Sequence, residues 1–116
     1  MAKRILIIDD EAPILEAVQM ILSDMGYEVV AHADADEGIQ AARQQRFDLM
    51  LVDVRMPHKN GAAVTRALLQ DTPEAYILII TAFPGDPVAA EAMQAGARGI
   101  IKKPFEIAKI LDALRE

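Results

Sequence analysis

Asp53 closes an apolar run, Leu49-Met50-Leu51-Val52, and a loop marked by Met56-Pro57 and Asn60-Gly61 follows it. A run without polar alternation reads as a strand covered on both faces, as in parallel sheets. A carboxylate at the carboxyl end of such a strand lies where open α/β sheets bind their ligands. One aspartate in that place is no more than a strand end, but the layout repeats. Residues 5–8 are apolar and run into Asp9, Asp10 and Glu11; residues 76–80 run into Thr81; residues 99–101 run into Lys102 and Lys103. If these strands lie parallel in one sheet, the four polar ends share an edge. Three carboxylates gathered there repel one another, and a divalent cation relieves the repulsion. Hard oxygen ligands with open positions suit Mg²⁺, which makes Asp9, Asp10 and Asp53 the candidate ligands. Asp53 is then the candidate nucleophile towards phosphorus, forming an aspartyl phosphate. An ammonium from Lys103 and a hydroxyl from Thr81 would steady the phosphoryl oxygens, because phosphoryl transfer rests mainly on positioning and electrostatics.

The remaining elements must bring these ends together. Pro13 is placed for a first helical turn, and Ile14, Val18, Ile21 and Met25 recur at helical spacing, with Leu15 and Leu22 widening the stripe up to Gly26. A short strand over residues 27–31 follows, then a helix capped by Asp34 or Asp36 that runs to about Gln45 and is weakened by Gly38. Residues 62–70 carry Val64, Ala67 and Leu68 at helical spacing. Asp86-Pro87 opens a helix that runs through Val88 and Met93 to Gly96, and a last helix from Phe105 onward puts Ile107, Ile110, Leu111 and Leu114 on one face. Five strands alternating with five helices imply an α/β domain, a parallel sheet with helices on both faces joined by right-handed crossovers. Several strand orders satisfy these rules; the flavodoxin-like order 2-1-3-4-5 sets strands one and three side by side, so that Asp9, Asp10 and Asp53 converge.

Composition narrows the function. The chain has 116 residues, enough for one domain with its own core, and no cysteine, which removes disulfides, thiolate zinc sites and cysteine nucleophiles. A formal net charge of -6 argues against nucleic-acid binding by this segment, and 4% aromatic residues leave little to stack on bases. The apolar runs are too short to span a bilayer and the first ten residues do not resemble a signal peptide, so a cytoplasmic protein without membrane association is expected. His32 and His58 are expected at the surface, most of the six methionines as core filler, and Glu11 as a solvated charge at a helix start, with a minor supporting role beside the acidic pair as the alternative. Arg98, Lys102, Lys109 and Arg115 are read as solvated surface, with a dimer or output face as the alternative.

The set as a whole resembles the receiver domain of two-component response regulators, the CheY-like family, over residues 1–116. The matching residues are Ile8-Asp9-Asp10, the D-x-R-M-P-x-x-x-G stretch from Asp53 to Gly61, Thr81-Ala82, Ala95-Gly96-Ala97 and Lys103-Pro104-Phe105. The resemblance implies a phosphorylation-controlled switch. Asp53 would accept a phosphoryl group from a sensor histidine kinase or a histidine phosphotransfer protein. Asp9, Asp10, Asp53 and the backbone carbonyl of Arg55 would hold Mg²⁺, Lys103 would pair with the phosphoryl oxygens, and the peptide before Pro104 would be cis. Phosphorylation would be read out by movement of Thr81 and of the residue at Ile100, changing contact with an output domain or partner protein, or forming a phosphorylation-dependent dimer.

Two departures from the family pattern stand out. Ile100 occupies a position commonly aromatic, so any coupling there runs through aliphatic repacking or loop motion. Phe83, Pro84, Gly85 and Pro87 replace a more polar loop, which implies a stiffened output loop with Phe83 as a surface contact. Arg55 and Phe83 offer no carboxylate or amide to orient an attacking water, so slow self-dephosphorylation is expected. The chain would catalyse its own phosphorylation and dephosphorylation without turning over an external substrate. The rivals fit less well. A Mg²⁺-dependent aspartate-nucleophile phosphatase would want a second aspartate where Arg55 stands. A flavin carrier would want a glycine and hydroxyl loop where Asp9-Asp10-Glu11-Ala12-Pro13 stands, and a receiver-like scaffold without phosphorylation would not need Asp10, Asp53, Thr81 and Lys103 together. No output segment follows Arg115, which leaves both an excised receiver and a stand-alone one open.

Overall fold

A computed structural model of the chain describes residues 2–103 and 106–115. The uninterrupted apolar runs become the strands β1 (Arg4–Ile8), β3 (Leu49–Asp53), β4 (Ile77–Thr81) and β5 (Gly99–Lys102), and Glu28–His32 forms β2. Between and after them lie α1 (Ala12–Asp24), α2 (Ala35–Gln44), α3 (Gly61–Asp71), α4 (Pro87–Ala95) and α5 (Ile107–Leu114). The strands form one parallel sheet in the order β2-β1-β3-β4-β5, the flavodoxin-like order that brings the first and third strands together. β1, β3 and β4 are buried on both faces because helices cover both. Alternation along each strand sorts the core into two. Leu6, Ile8, Met50, Val52, Ile77 and Ile79 pack against α2, α3 and α4. Ile5, Ile7, Leu49, Leu51, Leu78, Ile80 and Ile101 pack against α1 and α5.

Two helix starts use predicted caps, Asp86 and, of the two candidates, Asp34; Asn60, expected only as part of a loop, caps a third. Asp34 accepts from the Glu37 amide, Asn60 from Ala63 and Asp86 from Val88, each within 3.0 Å. Helix α1 departs from its predicted face: Leu15, Val18 and Leu22 are buried, whereas Ile21 and Met25 are exposed along with Met20. The apolar residues there cover more of the helix circumference than the sheet can bury, so spacing alone did not select the inward stripe. Met20, Met25 and Met93 are likewise at the surface rather than in the core, while Met50 is buried. Gly38, expected only to weaken α2, has a packing reason. A Cβ there would lie 2.4 Å from Ile8 Cδ1, so its absence lets α2 settle on β1. The expected cis peptide at Pro104, and Phe105, lie outside the described residues.

Candidate functional site

Strand register assembles the site. Ile8 pairs with Val52, which sets Asp9 and Asp53 side by side at the carboxyl edge. Asp53 pairs with Ile80, and Thr81 with Lys102, so the ends of β4 and β5 reach the same edge. The Lys103 amide then donates to the Thr81 carbonyl at 2.8 Å, which aims the lysine side chain back across the sheet end. The turn after Asp53 is closed by the Gly61 amide on the Val54 carbonyl, 2.8 Å away. A Cβ on Gly61 would lie 2.7 Å from the Asp53 carbonyl oxygen, so this position needs glycine for close backbone approach.

Asp9, Asp53 and Thr81 are buried, and Asp10 is exposed at the mouth. Lys103 Nζ lies 2.6 Å from Glu11 Oε1, 3.0 Å from Asp9 Oδ2 and 3.4 Å from Asp53 Oδ1. Burial, and then the neighbouring Asp9 carboxylate, push the Asp53 carboxyl up from 3.8 to about 7, against the lowering influence of Lys103. For Lys103, burial disfavours the charged form, yet pairing with Glu11 and Asp9 and the charge of Asp53 more than offset it and hold the ammonium above its ordinary range. The Thr81 hydroxyl is engaged in its own loop, accepting from the Phe83 amide at 3.0 Å and donating to the Phe83 carbonyl at 3.2 Å. Ile100 is half-buried against the α2, α3 and α4 core.

Two pairings escaped the sequence reading, which leaves Glu11 a minor role beside the acidic pair and makes Asp86 a cap. Glu11 is not merely a solvated charge; its side chain shares the Lys103 ammonium and its amide donates to Asp9 Oδ1 at 3.0 Å. Asp86 caps α4 as expected but also receives Arg55 in a two-point ion pair, Nε to Oδ2 and Nη2 to Oδ1, both 2.8 Å. Arg55 and Asp86 are 31 positions apart, and neither patterning nor spacing links them. A cleft of about 290 Å³ is lined by Asp10, Glu11, Asp53, Arg55, Thr81, Ala82, Phe83, Asp86 and Lys103. A larger cleft of about 480 Å³ opens at the opposite edge of the sheet, around Phe47, Asp48 and Tyr76, away from Asp9, Asp10 and Asp53. His58 is exposed, and His32 is half-buried, its Nδ1 3.9 Å from Glu37.

The donor set fits a hard divalent cation. One carboxylate oxygen from each of Asp9, Asp10 and Asp53 lies within 4.8 Å of the others. Asp9 Oδ2 is fully buried and touches Lys103 without hydrogen-bond geometry, so one acceptor at the centre of the cluster has no directed donor. Carboxylate oxygens with one exposed member match the partly hydrated coordination of Mg²⁺.

A parallel sheet of this order, with three carboxylates and a lysine gathered at its carboxyl edge, defines a flavodoxin-like α/β domain with an acidic site at its switch point. Residues 5–115 match the family described as the response regulator receiver domain, and the chain belongs to that family. It is similar to the chemotaxis protein CheY of Thermotoga maritima, 31% identical over 117 residues that cover 100% of this chain and 98% of that protein. Several other curated relatives are longer: the chain spans 53% of one that is 33% identical to it, about half its length. Among solved structures, the receiver domain of the sensor histidine kinase PA1611 from Pseudomonas aeruginosa superposes with a TM-score of 0.88 at 26% identity, covering 99% of this chain and 96% of that one. It carries a magnesium ion coordinated in its active-site cleft. A response regulator protein from Burkholderia pseudomallei, with a phosphorylated aspartic acid, calcium ion and citrate, superposes with a TM-score of 0.87 at 28% identity over 97% of this chain and 66% of that one.

Proposed function

We propose that residues 1–116 form a single receiver domain that acts as a phosphorylation-controlled switch in a two-component or phosphorelay system. The observation that carries this reading is the buried Asp53 carboxylate, set beside Asp9 and 3.4 Å from the Lys103 ammonium on the wall of an open cleft. In the proposed reaction an Asp53 carboxylate oxygen attacks the phosphorus of a phosphohistidine. The new P–O bond forms as the P–N bond breaks, and the electron pair leaves with the imidazole nitrogen. Asp9, Asp10, Asp53 and the Arg55 carbonyl would hold Mg²⁺, which when bound supplies positive charge against the carboxylates and phosphoryl oxygens. Lys103 would exchange a carboxylate for a phosphoryl oxygen, and Thr81 would release the Phe83 carbonyl and donate to the phosphoryl group. Ile100, half-buried beside α4, would repack as Thr81 moves.

The partners on this reading are a sensor histidine kinase or phosphotransfer protein, and an output domain, a partner protein or a second copy of the chain. Among the described residues no helix is long and apolar enough to cross a membrane, in keeping with a cytoplasmic setting. Incubation with Mg²⁺ and acetyl phosphate, followed by intact mass measurement, tests the reading. A phosphoryl adduct on the parent and none on Asp53→Ala is the expected result. Adduct on both variants removes Asp53 as acceptor, and no adduct on either with a panel of kinases returns the chain to an inert scaffold. Neither Arg55 nor Phe83 brings a carboxylate or amide to the cleft, so the adduct should persist for minutes or longer. A half-life of seconds would contradict that expectation.

A further inference from the structure

Lys103 is already shared among three carboxylates, Asp9, Glu11 and Asp53. The other cation lining the same cleft is Arg55, and Asp86 holds it at two points. We propose that Asp86 is a positioning residue that keeps Arg55 in reserve. A phosphoryl group on Asp53 draws the guanidinium off Asp86, and the release is transmitted to the start of α4. This inference rests on the receiver reading and deepens it, assigning a cation to the phosphoryl group and a route from it to α4.

The geometry favours such an exchange. The backbone before Arg55 is pinned, with the Val54 amide on the Ile80 carbonyl and the Val54 carbonyl receiving Gly61, while the Arg55 side chain is 67% exposed and its guanidinium is tied to Asp86. Asp86 is fixed by contrast. Its amide donates to the Phe83 carbonyl at 2.9 Å, its side chain is 10% exposed, and its Oδ1 serves both Arg55 and the Val88 amide. A phosphoryl group brings about -1.5 to -2 charges and three acceptor oxygens, against one charge and two oxygens on Asp86. Guanidinium binds both groups by the same parallel two-point geometry, so the exchange needs no change of binding mode. Once Arg55 leaves, Asp86 keeps only Val88, and the 83–86 turn, which presents Phe83 at 74% exposure, loses its tie to the β3–α3 loop. That link reaches α4 without an aromatic side chain at residue 100.

Beryllofluoride with Mg²⁺, a non-covalent stand-in for the phosphoryl group, tests the inference when titrated by ¹⁹F NMR into the parent, Asp86→Asn, Arg55→Gln and the double variant. Asparagine caps helices as well as aspartate does, so Asp86→Asn keeps the α4 start and removes the charge that detains Arg55. Asp86→Asn should bind beryllofluoride roughly threefold to tenfold more tightly and Arg55→Gln more weakly by a similar factor, as expected for one charge-assisted contact. The double variant should match Arg55→Gln. The Val88 amide resonance should move on beryllofluoride binding in the parent and stay in place in Arg55→Gln. Unchanged or weaker binding by Asp86→Asn, a gain that survives without Arg55, or a Val88 shift that persists in Arg55→Gln would each overturn the inference. A parent protein that binds no beryllofluoride overturns the receiver reading itself and the inference with it; a parent that binds beside an indifferent Asp86→Asn overturns the inference alone.

Discussion

At the scale of single residues, Asp53 is a group held against its own charge. Its carboxyl stands at about 7 in the fold and near 3.8 in the unfolded chain, so the folded protein binds this proton more tightly. The associated stability is fully present below the unfolded value and is lost as pH rises from 3.8 through 7. In EDTA, Asp53→Asn should therefore gain more stability over the parent at pH 8, at most about 4 kcal/mol, than at pH 5, where about 1.7 kcal/mol of the penalty is already present. Urea unfolding of both variants at the two pH values measures this, and equal differences at both would rule it out. His58 carries strain of another kind. With φ at 69° it occupies left-handed backbone, which costs a residue with a Cβ roughly 1–2 kcal/mol. Asparagine tolerates that region, and His58→Asn should raise stability by about 0.5–1 kcal/mol, read as a higher urea midpoint with an unchanged slope.

At the scale of elements, two glycines set how closely backbone segments approach. Gly38 lies inside α2, where alanine would add about 1 kcal/mol of helix propensity. The incoming methyl meets the buried Ile8 side chain, so Gly38→Ala should still lose about 1–2 kcal/mol net in denaturant unfolding. Gly61 faces backbone instead: the Asp53 carbonyl oxygen at 2.7 Å and the Val54 Cα at 3.0 Å. Backbone cannot rotate away, so Gly61→Ala should cost on the order of 2–3 kcal/mol and also weaken Mg²⁺ binding by displacing Asp53. Mg²⁺ affinity retained in full would show that the turn yields without moving the strand end.

At the scale of the whole molecule, strand order is what makes three carboxylates neighbours. The cluster exists only in the folded sheet, because Asp9 and Asp53 come from strands separated by β2 in the chain and adjacent in space. A divalent cation held there binds the folded state far better than the unfolded one, and stabilises it by about 2.7 kcal/mol at 100 times its dissociation constant. Thermal unfolding should shift upward with Mg²⁺ and return with EDTA, and the shift should be larger at pH 8 than at pH 5, where Asp53 holds its proton. A Mg²⁺ response independent of pH would remove Asp53 from the ligand set.

The sequence by itself determined the alternation of strands and helices, the cap at Asp86, and the gathering of Asp9, Asp10, Asp53, Thr81 and Lys103 at one sheet edge, and narrowed the α2 cap to Asp34 or Asp36. These depend on local rules, namely unbroken apolar runs, proline and capping residues, and polar groups placed where the runs stop. Tertiary structure decided what depends on which surfaces meet. Leu15, Val18 and Leu22 of α1 turned inward rather than Ile21 and Met25 because the sheet covers only part of an apolar helix. Gly38 proved to be a point of close approach once Ile8 was opposite it. Glu11 met Lys103, and Arg55 met Asp86, across 92 and 31 residues of chain, because long charged side chains pair with whatever the fold brings within reach.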